Sequence, residues 1–109
     1  MNRQSIGAPI VRPPRRYATK VIRLSIRYTG VVQGVGFRAT ARNISRRHKV
    51  TGWVRNDPDG AVTLEVQGEA CEVAAFREEL SGALAQRIRG EHEAPAAVVI
   101  SESNFVIQR

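Results

Sequence analysis

The sequence has little cysteine, few aromatic residues and no long apolar run, and each shortage excludes a class of protein. The 109 residues contain one cysteine, Cys71, which excludes an intramolecular disulfide framework and a cysteine-based zinc site. No apolar stretch approaches the roughly 20 residues that cross a bilayer. The N-terminus also lacks the continuous apolar segment of a signal peptide. These absences predict a cytoplasmic protein with no membrane partner.

The positive charge is concentrated at the N-terminus. The formal net charge is +7, and residues 1–20 contribute five basic residues with no acid, so residues 21–109 carry only +2. Three prolines in this segment, Pro9, Pro13 and Pro14, oppose an amphipathic helix. We therefore predict a disordered basic arm over residues 1–20 and one folded domain over residues 21–109. The high isoelectric point describes the arm and is weak support for nucleic-acid binding.

Apolar spacing predicts an alternation of strands and helices. Period-two or helical patterns mark, in chain order, a strand at 22–28, a helix at 37–48, strands at 51–56 and 62–67, a helix at 69–84 and a strand at 104–108. A further strand near residues 87–92 is ambiguous. The β-α-β-β-α-β order predicts an α+β, ferredoxin-like sandwich, in which two helices cover one face of an antiparallel sheet.

A glycine-rich junction connects the first strand to the first helix. It reads Gln33-Gly34-Val35-Gly36-Phe37-Arg38. The glycines allow successive backbone N–H groups to point at one spot beside a helix N-terminus, which is a ready anion site. Arg38 in the first helical turn opposes the helix dipole by roughly 0.3–1 kcal/mol, and a bound anion would reverse that cost. A plain strand-to-helix turn with a solvated arginine fits the same spacing.

Two segments resemble the signatures of the acylphosphatase family. Residues 30–38 are similar to the first signature, and residues 52–56, followed by Gly60, Val62 and Gly68, are similar to the second. The resemblance covers about residues 22–109. It implies hydrolysis of acyl phosphates to a carboxylate and inorganic phosphate, with no metal and no cofactor. Arg38 and the backbone N–H groups of Gln33 to Phe37 would bind the phosphoryl group, and Asn56 would position the attacking water. The expected partners are a small acyl phosphate and phosphate, and the simplest expected state is a monomer.

Two other functions compete with this hypothesis. The Val31 variant and the Gly-Val-Gly-Phe-Arg run also resemble the N-terminal domain of hydrogenase-maturation carbamoyltransferases, which would make the chain a non-catalytic or carbamoyl-phosphate-handling module. A nucleic-acid-binding domain of the same topology would display aromatic pairs on its central strands. Residues 61–66 contain no aromatic residue, so no specific nucleic-acid partner is expected.

Nearby residues receive structural interpretations. Asp57 and Asp59 match the positions that a type I turn requires before Gly60. Trp53 is expected to pack between the sheet and the helices, and strand alternation directs Arg55 to the face opposite Asn56.

Overall fold

The computed structural model of the chain describes residues 20–109, so the predicted arm lies outside the described residues except for Lys20. The strands and helices of the described part are β1 (Val21–Gly30), α1 (Phe37–Ser45), β2 (Val50–Asn56), β3 (Val62–Glu69), α2 (Ala70–Ala83), β4 (Ile88–Pro95) and β5 (Phe105–Ile107). Within these residues, neither helix is long and apolar enough to span a bilayer.

The five strands form one sheet in the order β4-β1-β3-β2-β5. The predicted α+β, ferredoxin-like class is confirmed, and the ambiguous strand near residue 90 exists as β4. The expectation of a purely antiparallel sheet is wrong at one edge, because β5 pairs with β2 in parallel. The chain reverses after β4 and crosses to the opposite edge of the sheet, so it enters β5 in the direction of β2.

The hydrophobic core lies between the sheet and the two helices. Alternate β1 residues, among them Ile26 and Tyr28, are fully buried on this face. Phe76 and Leu80 of α2 pack into the same cluster. Phe37, the first residue of α1, is also buried and lies 4.9 Å from Tyr28 between ring centroids. The core therefore anchors the start of α1 directly to β1.

The opposite face of the sheet, here called the open face, is polar. Segment 96–104 crosses it between β4 and β5, and Gln67 exchanges two hydrogen bonds with the backbone of Val99, at 2.8 and 2.9 Å. Arg23 donates to Glu102 of the same segment at 2.8 Å. This crossing segment delivers the chain to β5, and β5 in turn borders the candidate site.

Two local expectations need correction. Helix α1 ends at Ser45 rather than His48, because the N–H groups of Arg47 and His48 donate to carbonyls three residues back, at 2.9 and 3.2 Å. Trp53 does not pack between sheet and helices. Its neighbour Val54 takes the core face, so Trp53 lies on the open face with the Arg55 guanidinium 4.9 Å from its ring centroid.

Candidate active site

The segment between β1 and α1 folds as a loop whose first residues are fixed to the rest of the fold. The N–H of Val31 donates to the Arg87 carbonyl at 2.9 Å, and the Val32 side chain is buried in the core. Gly34 and Gly36 have φ angles of 76° and 79°, a left-handed conformation that glycine adopts without steric cost. Left-handed residues alternating with ordinary ones turn successive N–H groups toward one concave side, as an anion site requires.

The start of α1 carries an uncompensated positive end. Gly36 is the N-cap and contributes no side-chain hydrogen bond, and the first turn contains no acidic residue. The first intrahelical bond runs from the Thr40 N–H to the Gly36 carbonyl at 2.9 Å. Exposed N–H groups at a helix N-terminus favour negative charge. Because the first turn of α1 supplies no carboxylate, an external anion fits this helix end.

Residues far apart in the sequence meet at this helix end. A cleft of about 250 Å³ is lined by Val32, Gly34, Gly36, Phe37, Arg38, Ala39, Asn56, Ile107 and Arg109. Of the predicted site residues, Gly34, Gly36, Phe37, Arg38 and Asn56 therefore share one concave surface. The α1 side contributes the guanidinium of Arg38, and the end of β2 contributes the amide of Asn56. A small anion and a polar side chain able to hold water can meet in this space.

Gln33 and Val35, also predicted to bind phosphate through their backbone, do not line the cleft. Val35 packs against the edge of the core. The Gln33 side-chain amide donates to the carbonyls of Asp57 and Ala61, at 2.7 and 2.8 Å. These two carbonyls flank the β2–β3 turn that follows Asn56. The Gln33 side chain thus ties the glycine loop to the turn beside Asn56, a contact that the sequence analysis missed.

Asp57 fixes the same turn from the open face. Its N–H donates to the Ala61 carbonyl at 2.8 Å, and its carbonyl accepts from the Gly60 N–H at 3.1 Å, as the predicted turn requires. Its carboxylate also accepts hydrogen bonds from Arg27 at 3.2 Å and Arg55 at 3.1 Å. The turn interpretation of Asp57 is therefore confirmed but incomplete, because the side chain also joins β1 to β2.

Ile107 and Arg109 are further cleft residues that the sequence analysis missed. Both follow from the parallel pairing of β5 with β2, which places Val54 opposite Ile107. A short strand at the end of a chain carries no local signal for its pairing partner. The place of these two residues in the cleft can be inferred only once the register of β5 against β2 is known.

The sequence and the fold of the chain are similar to those of known proteins. The Acylphosphatase family model matches residues 24–107, which include β1, the glycine loop, α1 and β2 with Asn56. The chain belongs to the acylphosphatase family. An acylphosphatase of Salinibacter ruber is 47% identical over 73 residues, which are 67% of this chain and 65% of that relative. A solved acylphosphatase of Coxiella burnetii superposes with a TM-score of 0.72 at 27% identity, covering 81% of this chain and 93% of that one.

The chain is also similar to one part of a larger protein. Carbamoyltransferase HypF2 of Cupriavidus necator is 42% identical over 71 residues, which are 65% of this chain but only 9% of that protein. This chain therefore corresponds to a small part of that relative, and it spans slightly less than two thirds of the Salinibacter relative.

Proposed function

We propose that the chain is an acylphosphatase that cleaves the carboxyl–phosphate bond of small acyl phosphates, releasing a carboxylate and inorganic phosphate. The observation that carries the proposal is the meeting of Arg38 and Asn56 in one cleft at an acid-free helix N-terminus. The cleft supplies cationic and N–H donors for a phosphoryl group and, beside them, an amide for water. Family membership supports the same reaction.

Binding of the phosphoryl group is assigned to Arg38 and the backbone. The fork of a guanidinium donates to two phosphoryl oxygens at once. Further donors in this proposal are the backbone N–H groups of Gly34, Gly36 and Phe37, the loop and helix-start residues that line the cleft. Phosphoryl transfer spreads negative charge over the equatorial oxygens, so fixed donors stabilise the transition state without moving. In this proposal Arg38 contributes to both binding and rate.

Asn56 is assigned to the attacking water. An amide is a poor base, but its oxygen accepts a hydrogen bond from water and so orients a water lone pair toward phosphorus. The leaving group is a carboxylate, which departs without taking up a proton. The reaction therefore requires neither a strong general acid nor, in this proposal, a metal ion or cofactor.

Benzoyl phosphate hydrolysis in buffer containing EDTA tests the proposal. Arg38→Ala is expected to lower kcat/KM by about a hundredfold or more and to weaken competition by inorganic phosphate. Asn56→Ala is expected to lower kcat by about a hundredfold with little change in phosphate inhibition. Arg42→Ala and Asn43→Ala change exposed residues of α1 outside the cleft and are matched controls. Turnover that needs added metal, or a near-normal kcat in Asn56→Ala, would remove the corresponding part of the proposal.

A second candidate function rests on the similarity to carbamoyltransferase HypF2. On this alternative the cleft binds carbamoyl phosphate or another acyl phosphate without hydrolysing it efficiently. The same assay separates the two functions. Phosphate binding that depends on Arg38, in a chain that turns over neither benzoyl phosphate nor carbamoyl phosphate, would favour the binding module over the enzyme.

A further inference from the structure

Arg109 brings a second guanidinium-bearing residue to the cleft that holds Arg38. Its position follows from the register of β5, in which Ile107 lies opposite Val54. Continuing this parallel register by two residues sets Arg109 alongside Asn56. The Gln108 N–H donates to the Val54 carbonyl at 2.8 Å and keeps the chain beyond β5 attached to β2. Ile107 packs against the core, so alternation returns Arg109 to the same side as Ile107.

The residues that line the cleft include two arginines, Arg38 and Arg109. Within residues 20–109, neither of them forms an ion pair with Asp or Glu, whereas Arg23, Arg27 and Arg55 of the open face each do. None of the residues that line the cleft is Asp or Glu. An anion that carries two charges can accept hydrogen bonds from both guanidinium groups.

The exposed arginines at the end of α1 have a structural explanation that does not apply to Arg109. Arg42 lies in the last turn of α1 and Arg46 is its C-cap, where the helix dipole favours positive charge. Arg87, Arg89 and Arg109 belong to no helix and form no ion pair with Asp or Glu in the described part of the chain, but of these three only Arg109 lines the cleft. Its place beside Asn56 in the cleft is therefore the feature that calls for a ligand.

We propose that Arg109 is a second cationic ligand of the phosphoryl group, acting with Arg38. The inference rests on the proposed function and deepens it. Arg38 would approach the phosphoryl oxygens from α1, and Arg109 would approach from the end of β5, beside the water that Asn56 holds. Both guanidinium groups would donate to the dianionic oxygens and stabilise the charge that they carry during transfer.

Isothermal titration calorimetry of the full chain with inorganic phosphate, at about 0.15 M ionic strength, tests this inference. Arg109→Gln is expected to weaken phosphate binding by about ten- to a hundredfold, the usual loss when a charged hydrogen-bond donor is removed. Arg46→Gln removes the same charge from an exposed position outside the cleft, so it is expected to change the affinity by less than about twofold. Arg109 is exposed, and thermal unfolding without phosphate is expected to be the same for Arg109→Gln and the wild type.

Three outcomes would contradict part of the account, and they are distinguishable. Equal weakening by Arg109→Gln and Arg46→Gln would mean that only the general positive field matters, which overturns the inference. Phosphate binding that Arg38→Ala abolishes and Arg109→Gln leaves unchanged would also overturn it, while leaving the proposed function in place. Absence of phosphate binding to the wild type would contradict the proposed function itself.

Discussion

The arginines of the open sheet face and those of the cleft lie in opposite electrostatic surroundings. On the open face, Arg23, Arg27 and Arg55 each pair with at least one carboxylate. In the cleft, Arg38 and Arg109 pair with none among the described residues. Paired arginines contribute to the stability of the folded chain, whereas unpaired ones retain their hydrogen-bonding capacity for a ligand. The open-face arginines therefore hold the fold, and the cleft arginines are those that we assign to phosphate.

Arg23 is the extreme member of the paired set. Its side chain is 1% exposed and donates to Glu65 at 2.6 Å, to Gln67 at 3.1 Å and to both Glu102 oxygens at 2.8 and 3.1 Å. The hydrogen bonds that Arg23 donates to Glu102 raise the pKa of Arg23, and burial opposes them only in part. Arg23 thus holds the crossing segment 96–104 on the sheet.

The largest effect expected within this comparison is on stability. Arg23→Met leaves two partly buried carboxylates without their partner, so we expect the free energy of unfolding to fall by about 3 kcal/mol. Arg27→Met is the control, because the Arg27 side chain is 43% exposed and its pairs are screened, with an expected loss below about 1 kcal/mol. Urea denaturation measures both. Equal losses would show that burial of the pair does not set its contribution.

A smaller effect is expected where the two regions meet, at Gln33. Gln33→Glu keeps the size of the side chain but replaces the amide that donates to the Asp57 and Ala61 carbonyls. The carboxylate is repelled by both carbonyls, so Asn56 is expected to shift relative to the glycine loop. We expect kcat to fall by about tenfold with a smaller change in phosphate inhibition.

Gln86→Glu, at an exposed turn, is the control for the added negative charge. If Gln33→Glu and Gln86→Glu alter kcat equally, the effect comes from the added negative charge. The hydrogen bonds from Gln33 to the Asp57 and Ala61 carbonyls would then have no role in positioning Asn56.

The smallest expected effect is a change in the pH dependence of stability. Burial has the largest single effect and would raise the pKa of Glu102, but the side-chain hydrogen bonds from Arg23 and Thr51, together with the positive charge of Arg23, outweigh it and hold the pKa below the ordinary value of 4.5. The folded pKa is therefore lower than the unfolded one. The pair stabilises the fold above about pH 4.5, and that stability is lost as pH falls through the folded pKa.

Glu102→Gln removes this titrating group. We expect the variant to lose less stability than the wild type between about pH 5 and pH 3, by about 1 kcal/mol. Glu78→Gln changes an exposed carboxyl that forms no ion pair within residues 20–109, and it should retain the wild-type slope. Unfolding midpoints across this pH range measure the difference. Parallel profiles for wild type and Glu102→Gln would contradict a stabilising Arg23–Glu102 pair.

The elements with a local signal were predictable from the sequence. Alternation from Ile22 to Tyr28, turn residues at 57–60 and helical spacing after Glu69 gave β1, the hairpin and α2 close to their observed bounds. The edge strands β4 and β5 were harder to predict from the sequence. Strand β4 is ambiguous because its outward residues are charged and much of it is exposed, and β5 has only three residues.

The chemistry of the cleft was predictable only in part. The glycines, Arg38 and Asn56 belong to recognisable motifs, and the structure brings them to one cleft. The contact of Gln33 with Ala61, the burial of Arg23 and the approach of Arg109 to the cleft depend on strand pairing and on the crossing segment. Such contacts join residues distant in the chain, and neither spacing nor composition reports them.

Equilibrium unfolding of the wild type and Arg38→Met in increasing phosphate tests the central claim most directly. Without phosphate, Arg38→Met should be more stable by about 0.3–1 kcal/mol, because it removes a cation from the start of α1. Phosphate at about a hundred times the wild-type Kd should stabilise the wild type by about 2.7 kcal/mol and the variant far less. The account therefore predicts that the two stability curves cross as phosphate rises. Stability curves that stay parallel as the phosphate concentration rises would show that phosphate does not bind through Arg38.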